Sequence, residues 1–189
     1  MMAYHTYDEL QELGFFRIGK EVFISNKVSL YKCSKIQIGN NVRIDDFCVL
    51  SAGEGGIKIG DYIHIAPFCS IMGAGKIEME NFSGLSSKVS IYSSSDDYSG
   101  KFLTNPTVPL QYKGVHSADV FLGKHVIIGS GSVILPGISL DEGAAVGAMS
   151  LVTKNCRAFG IYSGVPAKFI RERKRDLLKL EETFLKSLV

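Results

Sequence analysis

The chain has 189 residues, with 21 Lys plus Arg, 19 Asp plus Glu and a formal net charge of +2. This balance excludes the concentrated basic face with which nucleic-acid-binding proteins neutralise phosphates, so we expect no nucleic-acid partner. Hydrophobic residues make up 46% of the chain, which is enough for a buried core and too many for a disordered protein. No apolar run approaches the roughly 20 residues of a membrane-spanning helix.

The beginning of the chain predicts a short helix. It has no basic region followed by an apolar one, so we expect no secretory signal and a cytoplasmic location. Thr6 and Glu9 fit a capping box at the start of a helix over residues 6–13, and Gly14 suits its end. We assign residues 1–15 to this N-terminal helix. The four cysteines form no Cys-x-x-Cys pair, which favours reduced thiols over a zinc or redox site.

An aliphatic residue recurs at every sixth position in five successive stretches of the chain. Two or three extra residues separate the first four stretches from one another, always at the same point, after the third repeat. Three hexapeptides therefore predict one turn of a triangular coil, each contributing a short strand and a corner, with parallel coils stacked about 4.8 Å apart. The repeated positions are Ile18, Ile24, Leu30, Ile38, Ile44, Leu50, Ile59, Ile65, Ile71, Met79, Leu85, Ile91, Leu122, Ile128, Ile134, Leu140, Val146 and Val152.

Two further sets of residues keep this period. A small or β-branched residue stands four positions after the second aliphatic residue of each coil, and we expect its side chain to point inward. Cys48 and Cys69 belong to this set, so we expect them to stack in the core as small hydrophobes. The residue after the aliphatic is commonly Gly, a type that tolerates positive φ and tight corners. The inward set is Val28, Cys48, Cys69, Val89, Ser132 and Ser150.

This pattern resembles the hexapeptide-repeat family over about residues 16–170. The resemblance implies an all-β fold, a left-handed parallel β-helix with a short N-terminal helix, a protruding loop and a C-terminal helix. We place the β-helix at residues 16–157, the loop at 93–118 and the C-terminal segment with its helix at 158–189. Handedness is implied by the family alone.

The loop and the C-terminal segment interrupt the period. The corner after Ile91 has about 22 extra residues, with aromatics and two prolines, and loops of this length are usually functional or disordered. We expect an ordered arm that contacts a substrate or partner. Pro166 suits the first position of a helix. The stripe Leu177, Leu180, Phe184 and Leu188 predicts a helix that covers the open end of the solenoid.

The last coils carry the most specific motifs. Residues 122–154, together with Gly164-Val-Pro-Ala-Lys168, resemble the galactoside, maltose and other sugar O-acetyltransferases. The resemblance implies acetyl-CoA as co-substrate, no metal, and a homotrimer with sites between subunits. Small residues let the pantetheine arm approach the backbone, and cations bind its phosphates. The family positions that contact the cofactor match Ser130, Ala148, Thr153, Lys154, Lys168 and Arg171, and Ile127 replaces a bulky aromatic. Gly147 is expected to bind the cofactor as one of the small residues that its backbone track requires.

The family's catalytic base has no direct counterpart. A histidine in the arm takes the acceptor proton in these enzymes, a task suited to its pKa near working pH. Counting from Ile91, that histidine falls near residues 95–97, where this chain has Ser95, Asp96 and Asp97. Asp96 or Asp97 is therefore one candidate base, with its pKa raised by burial or by the adjacent carboxylate.

Two other interpretations stay open. The base is a histidine from elsewhere: His116 in the arm, His64 facing outward on a strand, or His125 in a turn near the cofactor. Alternatively the acceptor is an amine, which attacks a thioester without a strong base, so that a carboxylate need only orient it.

The sequence therefore favours acetyl transfer from acetyl-CoA to a sugar hydroxyl, on a surface-polysaccharide precursor or a glycoside. The alternatives are N-acetylation of a nucleotide-linked amino sugar and a non-catalytic β-helix scaffold. A carbonic anhydrase of the same fold is disfavoured, because it needs three zinc-binding histidines and the spacing of the four present does not fit.

Overall fold

The computed structural model describes residues 3–188. The N-terminal helix spans Tyr7–Glu12 and has the predicted capping box: Thr6 Oγ1 accepts from the Glu9 backbone N–H, and a Glu9 carboxylate oxygen accepts from the Thr6 N–H. Gly14 follows with a φ of 70°, a left-handed conformation that ends the helix. The predicted helix is confirmed.

The chain then winds into a parallel β-solenoid of about seven turns, as predicted. Successive strands alternate among three faces, so each strand pairs with the equivalent strand of the next coil. Face 1 contains Arg17–Ile18, Ile36–Ile38, Ile57–Ile59, Ile77–Met79, Val120–Leu122 and Ser139–Leu140. Face 2 contains Val22–Ile24, Val42–Ile44, Ile63–Ile65, Gly84–Leu85, Ile127–Ile128, Ala145–Val146, Gly160–Ser163 and Lys168–Glu172. Face 3 contains Ser29–Tyr31, Val49–Ala52, Ser70–Gly73, Ser90–Tyr92, Val133–Ile134 and Leu151–Val152.

The repeated aliphatic residues form the core. All are buried except Ile18 and Leu30 of the first coil, which are half-buried against the same cluster. Ile44 lies in register with Ile65, and that pairing repeats from coil to coil. Cys48 and Cys69 are fully buried, and their thiols donate to the carbonyls of the next coil. The predicted stacked cysteine core is confirmed.

The glycines after the aliphatic positions have a different role from the predicted one. A Cβ at Gly39 would lie 2.6 Å from the Gly60 carbonyl oxygen, and one at Gly129 would lie 2.5 Å from the Ala148 nitrogen. These glycines are therefore required by close contact between coils rather than by positive φ. The left-handed conformation falls two residues later, and non-glycine residues such as Phe47 and Tyr62 adopt it.

The arm leaves the solenoid at the corner between faces 3 and 1. Its two ends, Ser94–Ser95 and His116–Ser117, form an antiparallel pair. A short 3-10 helix spans Leu110–Tyr112, and another at Cys33–Lys35 occupies the same corner three coils earlier. The backbone N–H of Leu103 donates to the Tyr112 carbonyl across the arm. These contacts make the arm an ordered element.

The C-terminal segment differs from the prediction at Pro166. This residue does not begin a helix; it lies between Gly160–Ser163 and Lys168–Glu172, which pair antiparallel as a hairpin on face 2. The helix begins ten residues later, at Asp176–Lys186. A proline also fits a turn, and the sequence alone does not distinguish the two uses.

The C-terminal helix does not cover the open end of the solenoid, so that expectation is also wrong. Phe184 contacts the rings of Tyr62 and Phe82, which stack at the corner between faces 1 and 2. Glu181 binds Lys124 and His125 at the same corner. The helix therefore lies along this corner. Within residues 3–188, no helix is long and apolar enough to cross a membrane.

Candidate active site

The outward-facing residues of face 2 form a row that runs the length of the solenoid. Strand register aligns Arg43, His64, Gly84, Ile127, Ala145, Ile161 and finally Arg171 of the hairpin. Because Gly84 has no side chain, the row is interrupted between His64 and Ile127. An open groove of about 420 Å³ lies at this interruption. Its lining consists of His64, Ala66, Gly84, Leu85, Ser86, Ser87, Ile127 and Ser130.

His64 at one end of the groove is held by a carboxylate. Its Nε2 lies 2.7 Å from Asp45 Oδ2, and the other carboxylate oxygen of Asp45 accepts from Arg43 Nε at 2.7 Å. Partial burial of Asp45 opposes its ionisation, but the hydrogen bonds from His64 and Arg43 outweigh burial and lower the pKa of this carboxyl. Asp45 is therefore an ionised anchor, while the His64 side chain stays 54% exposed.

The other end of the groove continues into the corner between faces 2 and 3. Ser130 and Ala148 are exposed there on successive coils, and the Met149 backbone N–H donates to the Ser130 carbonyl. Gly147 beside them has little room for a side chain, since a Cβ would lie 2.8 Å from Ser163 Oγ. The corner therefore presents small residues with accessible backbone, the surface that an extended pantetheine arm needs for close approach.

Beyond this corner lie the cations that the sequence predicts to bind the phosphates of the cofactor, which are Lys154, Lys168 and Arg171. Lys168 and Arg171 are exposed on the hairpin, on a strand rather than on a helix. Thr153 and Lys154 are exposed beyond the last strand of face 3. Within the described residues none of the three cations forms a salt bridge. Four strand steps of about 4.8 Å separate Arg171 from Gly84, a span of about 19 Å.

The candidate residues of the arm have distinct environments. Asp97 accepts hydrogen bonds from Ser99 Oγ and from the Lys101 backbone N–H. The Ser99 hydroxyl lowers the pKa of Asp97, so the expected rise does not occur in this carboxyl. Asp96 is exposed and accepts a 3.3 Å bond from the Asn105 N–H. His116 is exposed and pairs with Ser95 across the arm.

His125 does not reach the groove. It lies at the corner between faces 1 and 2, where its ring stacks on Phe82 and its Nε2 lies 2.8 Å from Glu181. Arg173 donates to its carbonyl oxygen. His125 therefore tethers the C-terminal helix and lies outside the groove.

One chain brings together only part of the predicted site. His64, Ile127 and Ser130 meet in the groove, whereas Asp96, Asp97 and His116 lie in the arm at a different corner. Among residues 3–188 there is no cluster of three or more His, Cys, Asp or Glu suited to a metal ion.

Comparison with known proteins decides the family. No protein-family model matches the chain. The dTDP-4-amino-4,6-dideoxy-D-glucose acyltransferase of Escherichia coli is 55% identical over 188 residues, covering all of this chain and 98% of that protein. This chain belongs to the hexapeptide-repeat acyltransferases. The predicted family, the acyltransferase activity and the acyl-CoA co-substrate are confirmed.

Solved structures agree with this assignment. AntD, an N-acyltransferase from Bacillus cereus, solved with dTDP and 3-hydroxybutyryl-CoA, is 46% identical, with a TM-score of 0.95 and coverage of 100% of this chain and 99% of that chain. An AntD variant with one serine changed was solved with dTDP-4-amino-4,6-dideoxyglucose and coenzyme A. A galactoside acetyltransferase in complex with coenzyme A is 20% identical, with a TM-score of 0.57 and coverage of 88% and 70% of the two chains, and shares the fold.

Sequence reasoning missed several residues at the groove. Asp45 follows the aliphatic Ile44 and His64 precedes Ile65, so the coil register already placed them diagonally adjacent. Gly84 occupies an outward position at which both neighbouring coils have a large side chain, His64 in one and Ile127 in the other. Ser86 follows Leu85 at a corner position that is Ser, Asp, Ala or Gly in the other coils, so nothing in the repeat marks it. Comparing equivalent positions between coils finds Asp45 and Gly84.

Proposed function

We propose that this acyltransferase transfers an acyl group from acyl-CoA to the amino group of a nucleotide-linked 4-amino-4,6-dideoxy sugar, of the dTDP-4-amino-4,6-dideoxyglucose type. The observation that carries the proposal is the 55% identity, over the full chain, with an enzyme named for that substrate. The AntD complexes with dTDP and coenzyme A support the same acceptor class. The four unpaired cysteines suit a reducing cytoplasm, where we place the protein.

The reaction is a direct transfer at the groove. The amine nitrogen attacks the thioester carbonyl carbon, a C–N bond forms, and the C–S bond breaks as the tetrahedral intermediate collapses. The nitrogen loses a proton, and the departing thiolate gains one. Donors that face the developing oxyanion lower the barrier. Of the three serines that line the groove, Ser86 and Ser130 are the hydroxyl donors in this proposal.

The proposed enzyme is a trimer whose sites combine two copies. Within one chain the groove faces the corner between faces 2 and 3, and the arm leaves from the corner between faces 3 and 1. An arm that reaches a neighbouring copy brings its carboxylates to that copy's groove. Trimeric assembly of three-sided solenoids gives each groove one such arm by symmetry.

Asp96 is the arm residue that we assign to the acceptor amine. It is exposed and has a single long bond to backbone, whereas Asp97 is committed to the turn through Ser99 and Lys101. Asp96 orients the amine or accepts its proton, and His116 is the second arm candidate. In AntD, variants of one aspartate and one serine have been solved, residue types that this chain has at Asp96 and Ser86.

The test compares two acceptors that differ at one atom. Thiol release from acetyl-CoA is measured with dTDP-4-amino-4,6-dideoxyglucose and with dTDP-6-deoxyglucose, which has a hydroxyl at the same carbon. We expect turnover with the amino sugar only. Turnover with the hydroxyl sugar alone would favour the O-acetyltransferase that the sequence placed first, and binding of neither acyl-CoA nor sugar would favour a scaffold.

Shared sites are tested by complementation. Ala148→Trp blocks the cofactor corner and Asp96→Asn removes the arm carboxylate, so each variant alone should be nearly inactive. In trimers co-expressed from both, one site in four combines an intact groove with an intact arm, and about a quarter of the activity should return. No recovery in mixed trimers would contradict a site built from two copies.

A further inference from the structure

Gly84 differs from the other 19 glycines of the chain, because neither its φ nor a close neighbouring atom accounts for the absence of a side chain. Each of the others either has a positive φ or would place a Cβ within 3.0 Å of another atom. At Gly84 the φ is ordinary, and a Cβ would meet only the His64 carbonyl oxygen, at 3.6 Å. Glycine weakens a strand, because it has no side chain to pack and loses more entropy on folding. The missing side chain therefore needs another explanation.

The position of Gly84 supplies one. Its neighbours in the outward row are His64 on one coil and Ile127 on the next. Without a side chain at Gly84, the floor of the groove is backbone, bounded by a ring on one side and an aliphatic side chain on the other. Any side chain larger than hydrogen would extend from the centre of this floor into the groove.

The cofactor track indicates which part of the substrates lies there. The corner of small residues at Ser130 and Ala148 leads from the cations of the hairpin toward the groove. Arg171 and Gly84 lie in the outward row beside this corner, about 19 Å apart at four strand steps. A cofactor held by its phosphates at Arg171 and extended along the corner brings its thioester end to Gly84. The walls there, Ala66 and Ile127, are apolar, which suits an acyl chain better than a sugar.

We propose that Gly84 is a specificity-determining residue that leaves room for the acyl group, so that the enzyme accepts acyl groups longer than acetyl. The inference rests on the proposed acyltransferase function, to which it adds the donor's chain length. The floor at Gly84 sets the upper limit of that length, and each carbon added to residue 84 lowers it.

The experiment measures kcat/KM for acetyl-CoA and butyryl-CoA with one acceptor. The wild type should use both, and the ratio of butyryl to acetyl should fall at least about tenfold in Gly84→Val, a typical effect of filling an apolar pocket. Gly84→Ala should give a smaller fall in the same direction. Ser90→Val, at an outward position of face 3 in the same coil, is the matched control and should leave the ratio unchanged.

Each outcome has a definite consequence. An unchanged ratio in both Gly84 variants, or a wild type that transfers acetyl but never butyryl, overturns the role of Gly84 and leaves the acyltransferase function standing. A wild type that neither binds coenzyme A nor releases thiol overturns the proposed function as well. Thermal unfolding separates folding defects from specificity: Gly84→Ala should unfold at or above the wild-type temperature, because its backbone conformation suits alanine.

Discussion

His64 Nε2 lies 2.7 Å from Asp45 Oδ2, joining two consecutive coils at the end of the groove. The contact has a chemical consequence. A carboxylate that accepts from Nε2 fixes the imidazole tautomer and leaves Nδ1 with a free lone pair. Arg43 holds the same carboxylate from its other side and keeps it ionised.

Changing Asp45 to Asn should lower kcat about tenfold or more while KM for acyl-CoA changes little. The reason is that an amide both donates and accepts, so Asn no longer selects one tautomer of His64. Asp46→Asn is the matched control, because Asp46 is the adjacent carboxylate and binds Ser25 and Lys27 instead. Equal kcat values for Asp45→Asn and the wild type would show that the contact between Asp45 and His64 does not contribute to the transfer. Nitrogen-15 spectra of labelled histidine check the tautomer directly.

Substitution of the two carboxylates of the arm should have different effects on turnover, measured in the same kind of assay. Asp96→Asn should cut turnover at least about tenfold with little change in coenzyme A affinity, because Asp96 is the carboxylate free to meet the acceptor. Asp97→Asn removes an acceptor of the Ser99 hydroxyl and the Lys101 N–H, so it should act mainly by loosening the arm. Near-normal turnover in Asp96→Asn would exclude it as base and as orienting group.

The tether of the C-terminal helix predicts a pH dependence. Burial of Glu181 opposes its ionisation, but bonds from Lys124 and His125 outweigh it and lower the pKa of Glu181 below its ordinary 4.5. A lowered carboxyl pKa in the folded state stabilises the fold above pH 4.5, and that stabilisation is lost as pH falls through the lower folded value.

Glu181→Gln should therefore lower the melting temperature by about 3 °C at pH 7, equivalent to about 1 kcal/mol. The difference should narrow as pH falls below 4.5 and close once pH is below the folded pKa of Glu181, because the wild type then loses the carboxylate that the variant already lacks. Glu182→Gln, at the next and exposed position, should have little effect at any pH. A difference that did not narrow as pH falls would locate the stabilisation outside this ion pair.

The residues explain which features the sequence predicts. A period of six with aliphatic residues at fixed phase predicts three short strands per coil with those residues inside, so the solenoid and the buried Ile65 and Cys69 follow from it. The prediction for Pro166 is wrong because proline suits a turn as well as a helix start. Gly39 lies at a corner as predicted, but it is required by close packing between coils, which is a long-range property.

Two kinds of site information are absent from a linear pattern. The Asp45–His64 pair depends on register between coils, which becomes visible once the coils are aligned. The position of Asp96 relative to a groove depends on which chain supplies the groove. In the proposed trimer this relationship arises between separate copies of the molecule, so neither repeats nor composition contains it.

The central claim is that acyl-CoA lies along the corner between faces 2 and 3, with its thioester in the groove. Calorimetric titration of coenzyme A into the wild type and Ala148→Trp tests it most directly, with Ser34→Trp, exposed at another corner, as control. We expect the wild type and Ser34→Trp to bind with equal Kd, and Ala148→Trp to bind at least about tenfold more weakly, a loss of about 1.4 kcal/mol. Equal affinity of all three proteins for coenzyme A would contradict this placement of the cofactor.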